Sequence, residues 1–183
     1  MKVTMIIGEP CVGKSLLVKQ LMTLGAPWEF ANPKYVPYHH SRSMGLTILG
    51  NYTDESHQFP GTDRMSMACQ PHVVNWLLKA QNAGTKSVLF EGDRLGNYKM
   101  AKSLQYAVSD LHVIHLRVPQ EFLAKRRAAE RSSQDATFVR SRVTKIRNLV
   151  ADLNRRGIPV LTRDHVTLAD TYDIIAWIRK NRL

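Results

Sequence analysis

Residues 8–15 read Gly8-Glu9-Pro10-Cys11-Val12-Gly13-Lys14-Ser15, and this stretch decides the fold. The apolar residues 3–7 precede it, and the amphipathic residues 16–24 follow it. The pattern G-x-x-x-x-G-K-[ST] between a buried strand and a helix is typical of a phosphate-binding loop. We therefore predict that the chain binds a nucleoside triphosphate.

The residue types of this loop fit phosphate chemistry. Glycines let successive backbone N–H groups turn toward a phosphate, and the following helix adds the positive end of its dipole. Lys14 is predicted to reach the β- and γ-phosphates, and the Ser15 hydroxyl to ligate Mg²⁺. ATP and Mg²⁺ are the predicted cofactors. The predicted nucleotide-binding residues of the loop are Gly8, Glu9, Pro10, Cys11, Val12, Gly13, Lys14, Ser15 and Leu16.

Length and composition predict one globular domain over residues 1–183, since 44% of the residues are hydrophobic. The apolar residues begin at Val3, which leaves no room for a signal peptide, and no apolar run is long enough to span a bilayer. A disulfide at Cys11 would obstruct the loop. We therefore expect Cys11 and Cys69 to be free thiols in a reducing cytoplasm.

The net charge is +11, and it points to a polyanionic partner. Nine Lys or Arg residues and three Asp or Glu residues lie between Arg117 and Arg147. A basic lid over the phosphates of ATP accounts for only part of this excess. Nucleic acid is therefore a candidate partner, and a membrane is not.

Apolar runs alternate with helical patterns along the chain, which predicts a three-layer α/β fold with a mainly parallel sheet. The predicted strands cover residues 3–7, 87–90, 111–118 and 158–161. The predicted helices cover residues 14–24, 71–83, 138–156 and 168–180, with another beginning at Pro119. Residues 28–67 break the alternation, and we predict a β-rich acceptor-side insertion there, with strands at 36–40 and 46–52. Residues 119–147 form the predicted lid region.

Residues 111–131 resemble the strand-to-lid segment of nucleotide-kinase-type enzymes. The helix predicted there places Arg127 and Arg131 four residues apart on one face. The resemblance implies that this pair stacks on the adenine and clamps the transferring phosphoryl group. A solvated basic helix face is the alternative reading. The Asn-Lys-x-Asp motif that reads guanine in GTPases does not occur in the sequence.

Two further segments each carry an Asp-Arg pair: GTDRMSM at residues 61–67 and VLFEGDRL at residues 88–95. Together with GEPCVGKS they resemble the small P-loop kinases of tailed bacteriophages, and within that group the 5-hydroxymethyluracil DNA kinases. The resemblance implies ATP-dependent phosphorylation of hydroxymethyl groups on bases in viral DNA, a step toward hypermodified thymidine. It also implies a location in the cytoplasm of the host cell.

The Asp-Arg pairs are the candidate catalytic groups, since a carboxylate can receive a hydroxyl proton and a guanidinium can stabilise phosphoryl charge. Asp63 and Arg64 are expected on the acceptor side. Asp93 is expected near Mg²⁺ or the acceptor oxygen, with Glu91 on the same side of the strand. The metal ligands predicted here are Ser15 and Asp93. The catalytic prediction comprises Lys14, Asp63, Arg64, Asp93, Arg127 and Arg131.

The acceptor itself stays open at this point. A kinase of free nucleotides, nucleosides or another small alcohol would share every ATP-site residue, and a nucleic-acid-binding ATPase would share the loop. Aromatic residues interleave with Arg42 and Arg64 in the insertion, which suits either base stacking or ordinary packing. These aromatic residues are Trp28, Tyr35, Tyr38, Tyr52 and Phe59.

Overall fold

The structure, a computed structural model, describes residues 1–25, 27–53, 61–129 and 135–182. Within them, seven strands form a single sheet. The strands are β1 (Lys2–Ile7), β2 (Glu29–Ala31), β3 (Tyr38–Ser41), β4 (Leu46–Leu49), β5 (Ser87–Glu91), β6 (Asp110–Arg117) and β7 (Val160–Asp164). The α-helices are α1 (Lys14–Leu24), α2 (Cys69–Asn82), α3 (Tyr98–Ala107), α4 (Gln120–Ala129), α5 (Ala136–Arg155) and α6 (Leu168–Arg182).

The sheet has the order β2-β3-β4-β5-β1-β6-β7, with β1 in its interior. The five strands from β4 to β7 are parallel, and β2 and β3 extend the sheet as antiparallel strands. β1 pairs with β5 on one side and β6 on the other, so the loop that follows β1 emerges between the ends of two neighbouring strands. The prediction of a mainly parallel sheet is confirmed.

Helices cover both faces of the sheet and enclose two apolar clusters. On one face, Met5 and Phe90 pack with buried residues of α2, α3 and α5. On the other face, Ile6 and Leu89 pack with residues of α1, α4 and α6. Side chains alternate between the faces along β1 and β5 because successive strand residues point in opposite directions. This arrangement is the predicted three-layer sandwich. No helix among the described residues is both long enough and apolar enough to cross a membrane.

Some predicted boundaries were wrong. β4 ends at Leu49 and not at residue 52, because Gly50 has a φ of +117° and turns the chain. β7 covers Val160–Asp164 and begins later than predicted. Helix α3 was not predicted, although Asn97 caps it by accepting a hydrogen bond from the backbone N–H of Met100 across 3.1 Å.

Candidate active site

The phosphate-binding loop lies at the carboxyl edge of the parallel strands, where ligands of such sheets bind. Gly13 ends the loop in a left-handed conformation, with a φ of +88°. A Cβ atom at this position would lie 2.7 Å from Cε1 of His165. Both the backbone conformation and the close approach therefore require glycine here.

Lys14 is held over this loop. Its Nζ atom donates hydrogen bonds to the carbonyl oxygens of Gly8 and Glu9, across 3.1 Å and 2.9 Å. The ammonium group thus lies directly above the backbone that would surround the phosphates. This is the location from which the lysine of such a loop neutralises phosphate charge.

Glu91 is the buried acidic group of the site. It ends β5 beside Ile6 of β1, and only 1% of it is exposed. Its Oε1 atom accepts hydrogen bonds from the hydroxyls of Ser15 and Tyr52, across 3.0 Å and 3.1 Å. Burial raises the pKa of Glu91 to about 7, while the charge of Lys14 opposes that change.

The two Asp-Arg pairs lie next to each other. Asp63 and Arg64 belong to a short 3₁₀ turn, Thr62–Arg64, and both are half-buried. The backbone N–H of Asp93 donates a hydrogen bond to the carboxylate of Asp63. Burial raises the pKa of Asp63; the charge of Lys14 lowers it, and that of Asp93 raises it. Asp63 therefore lies within electrostatic reach of both Asp93 and Lys14.

Asp93 does not contact Ser15, the other predicted Mg²⁺ ligand. Its carboxylate forms an ion pair with Arg142 of α5, with 3.1 Å between Oδ2 and Nε. The predicted ligand Ser15 instead meets Glu91. No group of three or more His, Cys, Asp or Glu side chains is arranged to hold a metal ion in the described part of the chain.

Arg127 reaches the loop from α4, as predicted for a lid arginine. It donates a hydrogen bond to Oε2 of Glu9 across 3.2 Å, and its buried Nε atom has no partner within the described residues. Arg131, its predicted partner, lies outside the described residues. Both assignments stay predictions.

Two residues that the sequence reasoning missed connect the loop to the end of the sheet. Arg126 donates hydrogen bonds to the carbonyl oxygens of Val12, His165 and Val166. Nδ1 of His165 lies 2.7 Å from the carbonyl oxygen of Val12. Because a carbonyl oxygen can only accept a hydrogen bond, Nδ1 carries the proton. Burial lowers the pKa of His165, so the ring is neutral near pH 7. Arg126 is one of several consecutive basic residues, and nothing in the sequence singles it out for this contact.

The aromatic residues of the insertion are engaged in packing. Trp28 donates a hydrogen bond to the carbonyl oxygen of Met22, and Tyr52 is buried against Glu91. The Tyr35 ring stacks on His72 at 4.2 Å, and Tyr38 lies 5.1 Å from Trp76. Phe59 falls outside the described residues. These contacts favour ordinary packing over base stacking.

The residues present fit ATP with Mg²⁺. The Ser15 hydroxyl and the Glu91 carboxylate are oxygen ligands of the type that Mg²⁺ takes. Lys14 and Arg127 place cationic groups at the loop, and the Nε atom of Arg127, which has no partner among the described residues, is a donor suited to a phosphate or a base.

A mainly parallel sheet with this loop after an interior strand defines a three-layer α/β fold with a phosphate-binding loop. A sugar kinase from Janibacter sp. HTCC2649 has a similar fold, with a TM-score of 0.56 and 12% sequence identity over 97% of this chain and 94% of that one. This likeness concerns the fold alone. No protein-family model matches the sequence, and neither does any curated protein.

Two other solved structures were found at lower similarity. A shikimate kinase from Bacteroides thetaiotaomicron gives a TM-score of 0.44 at 12% identity, covering 98% of this chain and 97% of that one. An uncharacterized protein from Eubacterium ventriosum gives 0.46 at 13% identity, covering 99% of each chain.

Proposed function

We propose that this protein is an ATP-dependent kinase with an alcohol acceptor. One observation carries the proposal: the carboxylate of Asp63 lies within electrostatic reach of Lys14, at the mouth of the phosphate-binding loop. This carboxylate is half-buried beside the lysine and next to Asp93. Such a carboxylate suits an acceptor hydroxyl that must lose its proton.

The residues divide the work of phosphoryl transfer between them. ATP with Mg²⁺, when bound, supplies the γ-phosphoryl group and neutralises part of its charge. Ser15 and Glu91 would hold the metal, and Lys14 would hold the phosphates. Asp63 orients the acceptor hydroxyl and takes its proton as the new P–O bond forms and the bond to the leaving ADP breaks. The raised pKa of Asp63 makes it a stronger base than an exposed aspartate.

The acceptor that we propose is the hydroxymethyl group of 5-hydroxymethyluracil in DNA, in the cytoplasm of a phage-infected cell. The net charge of +11 supports a polyanionic acceptor, since ATP alone does not need so large an excess. The resemblance of the two Asp-Arg segments to phage DNA kinases supports the same acceptor. The free thiols Cys11 and Cys69 are compatible with a reducing compartment.

A kinase of a free nucleoside, nucleotide or other small alcohol is the second candidate. It is favoured by the likeness in fold to a protein described as a sugar kinase. It uses the same loop, the same Glu91 and the same Asp63, so the acceptor side alone separates it from the first candidate.

The decisive experiment follows the labelled γ-phosphate of ATP into matched acceptors. These are DNA containing 5-hydroxymethyluracil, the same DNA containing thymine, free 5-hydroxymethyldeoxyuridine and a panel of sugars, with Lys14→Ala as the control enzyme. We expect more label in the hydroxymethylated DNA than in any other acceptor, and none in the thymine DNA. Label only in a free nucleoside or sugar would establish the second candidate. Inorganic phosphate without any labelled acceptor would overturn the kinase proposal and favour a nucleic-acid-binding ATPase.

A further inference from the structure

The outward side of α5 has a composition unlike that of an ordinary solvated helix. Residues 136–151 include no Asp or Glu, although they include Arg140, Arg142, Lys145 and Arg147. The exposed residues within 137–151 carry no negative charge, and apart from Phe138 and Ala151 their side chains are hydrogen-bond donors. These donors are Thr137, Arg140, Ser141, Thr144, Arg147 and Asn148.

The first half of this helix borders a shallow hollow of about 540 Å³. Among the described residues, the side chains that line it are Thr137, Arg140, Ser141 and Thr144. Three hydroxyls around a guanidinium are the side-chain types that contact phosphate oxygens in nucleic-acid complexes. The chemistry of the hollow therefore fits a phosphodiester and not a cation.

Helix α3 continues the same surface, since it packs against α5. Residues 94–109 also include no Asp or Glu. Lys99 and Lys102 are exposed on α3, beside Tyr98. The guanidinium of Arg156 lies 4.9 Å from the ring centre of Tyr98 and also contacts its hydroxyl. We call the exposed residues of α3 and α5 together the acid-free face.

Arg142 lies on the other side of α5, in line with the buried residues Ile146 and Leu149, and it pairs with Asp93 beside the proposed active site. The acid-free face is therefore the outward surface of a helix whose inner side contacts the site.

We infer that the acid-free face binds the phosphate backbone of the acceptor DNA. The inference rests on the proposed DNA acceptor. Its energetic basis is counterion release, because each phosphate neutralised by an arginine or lysine frees condensed ions from the DNA. Binding of the DNA backbone in this way does not depend on the base sequence. It therefore suits an enzyme that must act on a modified base wherever that base occurs.

The test compares two double variants that change the net charge equally. Arg140→Glu with Arg147→Glu alters the acid-free face. Arg179→Glu with Lys180→Glu alters exposed residues of α6 on the opposite layer. Binding of fluorescein-labelled single-stranded and duplex DNA is measured by anisotropy without ATP. We expect the first variant to bind about tenfold more weakly than the wild type, and the control to change by less than about threefold.

A milder pair, Arg140→Ala with Arg147→Ala, covers the case in which the glutamates prevent folding. It should reduce the slope of log affinity against log salt by about 2, one for each lost phosphate contact. Equal weakening by the α6 variant, or an unchanged salt slope in the alanine variant, would overturn the inference. Tighter binding of an RNA of the same sequence would also overturn it, because the partner would then not be DNA.

Failure of this inference is distinguishable from failure of the proposed function. If the wild type binds no DNA but labels 5-hydroxymethyldeoxyuridine, the acid-free face is not a DNA site and the kinase proposal stands. If the wild type binds DNA through α5 but labels no acceptor, the DNA interface stands and the kinase proposal is wrong.

Discussion

The hydroxyl of Ser15 donates a hydrogen bond to Oε1 of Glu91, the last residue of the strand beside β1. Glu91, and not Asp93, is therefore the carboxylate in contact with the proposed metal-binding serine. Asp93 pairs with Arg142 and contacts Asp63 through its backbone. We conclude that Glu91 is the better candidate for a metal ligand and that Asp93 is better suited to positioning Asp63.

Glu91 should make the stability of the metal-free protein depend on pH. Its pKa rises from 4.5 in the unfolded chain to about 7 in the fold, so the folded state binds its proton more tightly. The contribution is present below pH 4.5 and is lost as the pH rises through 7, by about 3 kcal/mol at most. Glu91→Gln should flatten this decline in urea unfolding at pH 5 to 8 with EDTA. Parallel curves for variant and wild type would contradict the assignment.

Lys14→Ala should lower turnover by about 10²-fold or more, because it removes the cation nearest the phosphates. The fold should survive, since the hydrogen bonds that Lys14 donates among the described residues go to carbonyl oxygens of its own loop. Steady-state kinetics and a thermal melt check both statements. Turnover close to that of the wild type would show that residues 8–15 do not hold the reacting phosphate.

Asp63→Asn should lower kcat by about 10²-fold, the scale of a general base, and should leave the KM for ATP nearly unchanged. Asp93→Asn should lower kcat less, because it retains the backbone N–H that contacts Asp63. Asp164→Asn is the matched control, since it disrupts an exposed ion pair with Arg117. If Asp93→Asn proves the more damaging variant, the roles of the two aspartates must be exchanged.

Arg127→Ala should raise the KM for ATP and leave the KM for the acceptor unchanged, because its guanidinium contacts Glu9 of the loop. Arg163→Ala, an exposed arginine of β7, serves as the comparison. Initial rates over a grid of both substrates separate the two Michaelis constants. An effect confined to the acceptor would remove Arg127 from the nucleotide site.

Activity on DNA should fall steeply with salt, whereas activity on a free nucleoside should not. Each phosphate contact contributes a slope of about −0.9 in log affinity on duplex and about −0.7 on a single strand. About three contacts would give a loss of about tenfold or more between about 50 and about 200 mM salt. Initial rates across a salt series test this, and equally shallow slopes for both acceptors would contradict a DNA substrate.

The fold followed from local patterns, and most of the site did not. Residues 2–24 predict their own strand, loop and helix because the apolar spacing and the glycines act over a few residues. The contact between Ser15 and Glu91 depends on the register that sets Ile6 opposite Glu91 in the sheet. No local sequence pattern indicates that strand register.

The same limit applies to the distant partners of the loop. Arg126 and His165 approach Val12 from other elements, so their contacts appear only when the whole sheet has formed. Asp93 carried a recognisable motif, but the residue that neutralises it, Arg142, lies on a helix far along the chain. The motif therefore gave no indication of the ion pair between Asp93 and Arg142.

The interior position of β1 has a consequence for how the protein is made. Lys2 pairs with Ser87 on one side and Asp110 on the other, so β1 leaves the ribosome before both of its neighbours and waits for them to be synthesised. Parallel pairings between such distant residues are slow to form. Until residue 117 has emerged, the apolar residues of β1 are an unpaired strand that a chaperone could bind or that could aggregate. The nucleotide loop, synthesised before both neighbouring strands, is thus completed late in folding.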